Sequence, residues 1–175
     1  MQNDIIYLKN NIRDIHDFPK QGVIFKDITP ILSDPEAMRK ATDLFVNQLK
    51  NKKIDKVVGM ESRGFFFGTL LADRLGAGFV PVRKPGKLPF KTVTQTYDLE
   101  YGQDQLEIHS DAIRPDENVL IHDDVLATGG TAEAAVKLVQ TLGGNIIQLN
   151  FLIELEFLHG IQKLDGLDVY SILKY

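Results

Sequence analysis

Two adjacent carboxylates, Asp123 and Asp124, end an apolar run and stand just before a loop of hydroxyls and glycines, in the stretch VLIHDDVLATGGT over residues 119–131. The chemistry such a set can do follows from its parts. Ionised carboxylates accept hydrogen bonds from hydroxyls, so the pair suits a vicinal diol. Beyond them, the backbone N–H groups of Ala127 to Thr131 have no strand partner and converge on the start of a helix. Converging amides plus the positive end of the helix dipole make a site for a dianion, with the Thr128 and Thr131 hydroxyls as further donors. Gly129 and Gly130 remove the Cβ atoms that would hold a phosphate away. A phosphate and a diol one loop apart describe a ribose 5-phosphate.

Plainer readings exist for the same residues. Gly-Gly before a helix is often only a turn. His122-Asp123-Asp124 could be read as a metal cluster, but neighbours on a strand alternate faces, which favours a packed strand histidine. The chain has neither G-x-x-x-x-G-K-[ST] nor G-x-G-x-x-G after a strand, so the familiar nucleotide loops are absent.

The elements that must hold these residues can be read in order. Ile5, Leu8, Ile12 and Ile15 repeat at helical spacing and predict a first helix from about Asp4 to Ile15, ended by Phe18-Pro19, with a turn at Gly22. Residues 22–32, GVIFKDITPIL, read as a short strand or packed loop. Ser33-Asp34-Pro35 predicts a helix start, with Met38, Ala41, Phe45 and Leu49 on its buried side. Lys56 to Met60 is a buried strand, followed by the loop Glu61-Ser62-Arg63-Gly64 and a helix through Phe67, Leu71 and Leu75 that stops at Gly76. Phe79 to Arg83 is a strand, and residues 84–89 form a basic loop punctuated by Pro and Gly. Residues 92–97 and 105–109 alternate as a hairpin around a turn at Tyr101–Asp104, with His109 facing solvent. Ala135, Leu138, Val139 and Leu142 mark a helix that Gly143-Gly144 stops. Ile146–Ile153 and Val169–Leu173 are the last strands, and Glu154 and Glu156 read as surface charges. Strands alternating with helices imply an α/β fold: a doubly wound, mostly parallel sheet flanked by helices. Ligands of such sheets sit beyond the strands' C-terminal ends, where both the 61–64 and 123–131 loops must lie.

The 175 residues suit a single domain. A formal net charge of −4 argues against a general nucleic-acid or anionic-membrane role. With no cysteine, disulfide and thiolate chemistry is excluded. No secretory signal is evident and no apolar run reaches the roughly 20 residues of a membrane span, so a cytoplasmic protein is expected.

The stretch VLIHDDVLATGGT resembles the signature of the type I phosphoribosyltransferases, which bind 5-phosphoribosyl-1-diphosphate (PRPP). With the stretches above, the chain resembles the adenine-using members of that family from end to end, although the family usually has an aliphatic residue at His122. The resemblance implies a small N-terminal hood over about residues 1–33 and a flexible loop and hairpin over about 84–108. It implies that Ile24 and Lys26 offer backbone groups to the purine edge and Phe25 its ring face. It assigns Glu61, Ser62, Arg63 and Gly64 to pyrophosphate, with a strained or cis peptide at Glu61–Ser62, and makes Lys87 part of a lid. Arg83, Tyr101 and Val125 join the substrate site, beside Asp123, Asp124, Ala127, Thr128, Gly129, Gly130 and Thr131. Glu100 becomes the proton-transfer residue, with Arg63 and Lys87 aiding departure of pyrophosphate. The implied cofactor is Mg2+, held mainly by PRPP rather than by protein ligands, and the implied assembly is a homodimer. A phosphoribosyltransferase for another base, or a non-catalytic regulator that senses PRPP, are the alternatives.

Overall fold

A computed structural model describes residues 2–98 and 102–175. Its contacts divide the chain into two compact units, residues 1–48 and 49–175. Glu100 and Tyr101 lie outside the described residues.

In the first unit, helix α1 (Gln2–Asn10) is followed by two short antiparallel strands, β1 (Arg13–His16) and β2 (Ile24–Asp27), then α2 (Thr29–Ser33) and α3 (Pro35–Gln48). The expected first helix is therefore too long by its last five residues, 11–15. Ile12 and Ile15 keep helical spacing, yet the chain leaves the helix at Asn11, and Ile15 pairs with Phe25 across the ribbon. The start of α3 is as expected: Asp34 Oδ1 accepts the Glu36 N–H at 2.9 Å, satisfying an otherwise orphan donor. Tyr7 donates to Asp34 Oδ2 at 2.6 Å and Lys40 reaches Asp4 at 2.7 Å, tying α1 to α3.

The second unit is built on five strands: β3 (Lys56–Met60), β4 (Gly78–Val82), β7 (Asn118–Leu126), β8 (Asn145–Glu154) and β9 (Val169–Lys174). They pair only in parallel, in the order β4-β3-β7-β8-β9. The chain leaves β3 through helix α4 (Gly64–Leu75) toward β4 on one side, and leaves β7 through α5 (Gly130–Thr141) toward β8 on the other. Right-handed crossovers in opposite directions put the two helices on opposite faces. They also part the loops that follow β3 and β7, opening a crevice between the two strand ends. The sheet interior is near-continuously apolar, as strands covered on both faces require: Val57, Val58, Leu120, Ile121, Leu149 and Phe151 are wholly buried.

Glycines let α4 come close to the sheet. A Cβ at Gly59 or Gly68 would stand 2.7 Å or 2.9 Å from the Phe79 ring, which fills the space between strand and helix. A Cβ at Gly64 would meet Asp123 Oδ1 and His122 O, each at 2.9 Å, so the first turn of α4 rests directly on β7. Gly76 closes α4 with φ of 64°, a left-handed cap.

Strands β5 (Thr92–Asp98) and β6 (Gln103–His109) form the antiparallel hairpin, one that shares the main core: Leu106 and Ile108 are buried with Ala135, Leu138 and Val139 of α5. Of the residues expected at the surface, His109 is half-buried and Glu154 is buried. The Nε2 atom of His109 is buried and its ring meets Phe90 edge-on, 6.1 Å between centroids. Glu154 is 4% exposed and pairs with Lys174, its register partner on β9, at 3.3 Å. After β8 the chain runs through two 3-10 turns, Glu156–Leu158 and Gly160–Leu164. No helix among the described residues is long and apolar enough to cross a membrane.

Candidate active site at the ends of β3 and β7

The sequence brings the carboxylates to the crevice by placing them near the C-terminal end of β7, which runs on to Leu126. Asp123 Oδ1 accepts the N–H of Asp124 at 2.9 Å, and Asp124 Oδ2 meets Arg63 Nε at 2.9 Å. Arg63 sits immediately before α4, on the neighbouring strand's loop, so the ion pair spans the point where the topology reverses. Burial pushes both carboxyls above the usual aspartate range. For Asp123 the charge of Asp124 adds to the rise; for Asp124 the Arg63 guanidinium opposes it. Two negative charges are therefore costly at this strand end, and a cationic or strongly donating ligand would relieve that cost.

Beyond the pair, residues 125–129, Thr131 and Ala132 line a small cavity of about 70 Å³ with Asp123 and Phe151. Gly129 turns the chain into α5 with φ of 80°, and no side chain caps the helix there. The first-turn amides thus keep the donors that a capping hydroxyl would have taken. Ala127, Thr128, Gly129, Gly130 and Thr131 are together as expected, and Val125 joins them.

The second cluster gathers on Glu61, just past β3. Its carboxylate accepts from Arg83 Nε at 3.2 Å, from the Lys84 N–H at 2.9 Å and from Lys87 Nζ at 3.0 Å. Burial alone would raise this carboxyl, but the Lys84 amide, Lys87 and Arg83 outweigh it and hold it at about 2. The Glu61–Ser62 peptide is cis, the unusual state expected of this loop. Lys84, not singled out from the sequence, bonds to the Tyr97 hydroxyl at 3.0 Å and to the Asp104 carboxylate. Its partners lie on the hairpin, so only the fold could connect them.

His122 is wholly buried, with Nδ1 2.6 Å from Asn150 Oδ1 and its ring edge-on to Phe67. This is the packed strand histidine, and no three His, Asp or Glu side chains stand together as a metal site among the described residues. In the first unit, Ile24 is exposed, Phe25 meets Phe18 edge-on at 5.2 Å, and Lys26 pairs with Asp14 at 2.7 Å.

An aspartate pair, a facing guanidinium and an uncapped helix start thus gather at the switch point of the parallel sheet. The phosphoribosyl transferase domain matches residues 27–159, and the chain belongs to that family. Similar proteins within it include adenine phosphoribosyltransferases. An adenine phosphoribosyltransferase of Christiangramia forsetii is 65% identical over 168 residues, covering 96% of this chain and 98% of its own. The crystal structure of the Rhodothermus marinus adenine phosphoribosyltransferase superposes with a TM-score of 0.96 at 49% identity, covering 100% of both chains. The Saccharomyces cerevisiae enzyme, complexed with an imino-altritol bisphosphate and adenine, superposes at 0.95 with 44% identity over 99% of this chain and 100% of that one. The fold is that of the type I phosphoribosyltransferases.

Proposed function

We infer that this chain transfers the 5-phosphoribosyl group of PRPP to adenine, giving AMP and pyrophosphate. The observation that supports this most is the meeting of Asp123, Asp124 and Arg63 beside the uncapped start of α5. PRPP carries groups that match each part. Its 5-phosphate suits the Ala127–Thr131 amides and threonine hydroxyls. Its diol suits Asp123 and Asp124. Its diphosphate suits Glu61–Gly64, Arg83 and Lys87, with the Lys87 ammonium leaving Glu61 for the incoming anion.

As the C1–O bond of PRPP loosens, positive charge grows on the ribose. Two carboxylates that burial has made costly to ionise favour that charge electrostatically, without reorganising. Arg63 and Lys87 would stabilise the departing pyrophosphate. The family resemblance implies a metal ion held mainly by substrate oxygens. In this reading the ion is magnesium, which when bound neutralises charge on the leaving group.

Family resemblance assigns the base to Ile24, Phe25 and Lys26, and proton transfer at its ring nitrogens to Glu100 beside Tyr101. Main-chain groups suit adenine, whose N6 donates while N1 accepts. The same resemblance supports one catalytic domain with an N-terminal hood, working as a homodimer in the cytoplasm. The test is turnover of PRPP with magnesium against adenine, guanine, hypoxanthine and orotate, followed by absorbance. AMP formation, with the other bases much slower, is the expected result. A different preferred base would replace adenine, and PRPP binding without turnover would leave a sensor instead of an enzyme.

A further inference from the structure

Gly160 lies far along the chain from the phosphate loop, yet its backbone touches that loop. A Cβ built on Gly160 would overlap the carbonyl oxygen of Ala127 and stand 2.8 Å from Gly129 N and 2.9 Å from Ala127 C. The contact is reciprocal. A Cβ on Gly129 would overlap the Gly160 carbonyl oxygen and lie 3.1 Å and 3.2 Å from Gly160 C and Cα. These are backbone atoms that cannot swing aside, and ordinary carbon contacts need about 3.5–4.0 Å. Conformational freedom is not the reason for glycine here. Gly160 is absent from the residues with positive φ, whereas Gly129 has φ of 80°. The requirement at Gly160 is space alone.

The segment that carries Gly160 is itself fixed. Leu155 donates its N–H to Leu126 O at 2.9 Å, at the end of β7 and one residue before Ala127. His159 and Gln162 continue the hydrogen-bonded turns on either side, and Leu164 is buried in the core shared with α5. The phosphate loop is thus pressed between its own helix and a second, anchored backbone.

We propose that Gly160 is a positioning residue for phosphoribosyl binding: its missing side chain lets the 155–164 segment seat the Ala127–Gly129 amides where they meet the 5-phosphate. The inference rests on the assignment of that loop to the 5-phosphate. A methyl group at Gly160 displaces the loop and leaves the Glu61–Gly64 loop in place, since the latter follows a different strand.

The experiment is isothermal titration of wild type and Gly160→Ala with ribose 5-phosphate and, separately, with pyrophosphate and magnesium. Circular dichroism checks that the variant folds. Displacements of about 1 Å can cost about a hundredfold, so ribose 5-phosphate affinity is expected to fall by about tenfold or more. Pyrophosphate affinity stays unchanged, and in turnover the KM for PRPP rises more than kcat falls. Equal ribose 5-phosphate affinity in a folded variant overturns the role of Gly160 and leaves the site assignment intact. Equal loss of both ligands overturns it too, by showing general damage. Failure of the wild type to bind ribose 5-phosphate would sink the site assignment itself. Should the variant not fold, amide shifts in the wild type decide. Gly160 and Gly129 must move with ribose 5-phosphate and not with pyrophosphate, and stationary signals refute the proposal.

Discussion

Removing the buried histidine of β7 should change how stability responds to acid. His122 has no exposed surface, and burial lowers its pKa from 6.5 to about 4, with the Asn150 hydrogen bond opposing the fall. The unfolded ring takes a proton near pH 6.5 and the folded ring only near 4. Stability present above the first value is therefore lost as pH falls through that window, at up to about 1.4 kcal/mol per pH unit. Between about pH 7 and about pH 5 the loss from this one group is roughly 2 kcal/mol. Asp123 works in the opposite sense, because a carboxyl raised in the folded state gains a proton and stability as pH falls. The raw acid curve mixes the two, so the informative quantity is a difference. His122→Leu removes the titrating ring and keeps Asp123; the lost Asn150 bond adds only a pH-independent offset. Urea unfolding followed by circular dichroism at both pH values should show wild type losing about 2 kcal/mol more than the variant over that span. Equal losses would mean that the ring takes up its proton as readily in the folded protein as in the unfolded chain, and the account of His122 would be wrong.

Other outcomes follow from the site. Asp124→Asn removes a charge-assisted acceptor worth about 1.5–3 kcal/mol, so PRPP affinity by titration should fall about tenfold to a hundredfold with the fold retained. Gly64→Ala puts a methyl group 2.9 Å from Asp123 Oδ1 and His122 O. It should cost about 1–3 kcal/mol of stability in urea unfolding, together with PRPP binding; an unaffected variant would show that α4 can slide along β7. Glu100→Gln should slow turnover by about a hundredfold or more with PRPP affinity nearly unchanged; equal turnover would remove Glu100 from proton transfer.

The strand–loop–helix units around Asp123 and Arg63 could be read from the chain because each combines an apolar run, a small polar loop and a glycine, all local signals. Their adjacency could be anticipated too, since opposed crossovers leave few ways to order β3 and β7. What escaped was set by partners distant in sequence. Ile12 and Ile15 look helical until β2 is seen to pair with the segment that holds Ile15. Glu154 looks like a surface charge until β9 brings Lys174 against it. His109 reads as exposed because nothing local announces Phe90. Gly160 is the extreme case: a lone glycine carries no mark of a backbone pressed against it from more than thirty residues upstream.

An all-parallel sheet has a consequence for how the pocket comes into being. No hairpin can bring β3 beside β7; Lys56 must find Val119 across about sixty intervening residues, and closing so long a loop is slow compared with forming a helix. The newly made protein can therefore wind α4 and α5 while still unable to hold a nucleotide. Substrate recognises only the finished arrangement, so in a cell well supplied with PRPP the ligand itself would shift the balance from unfolded chain to folded protein.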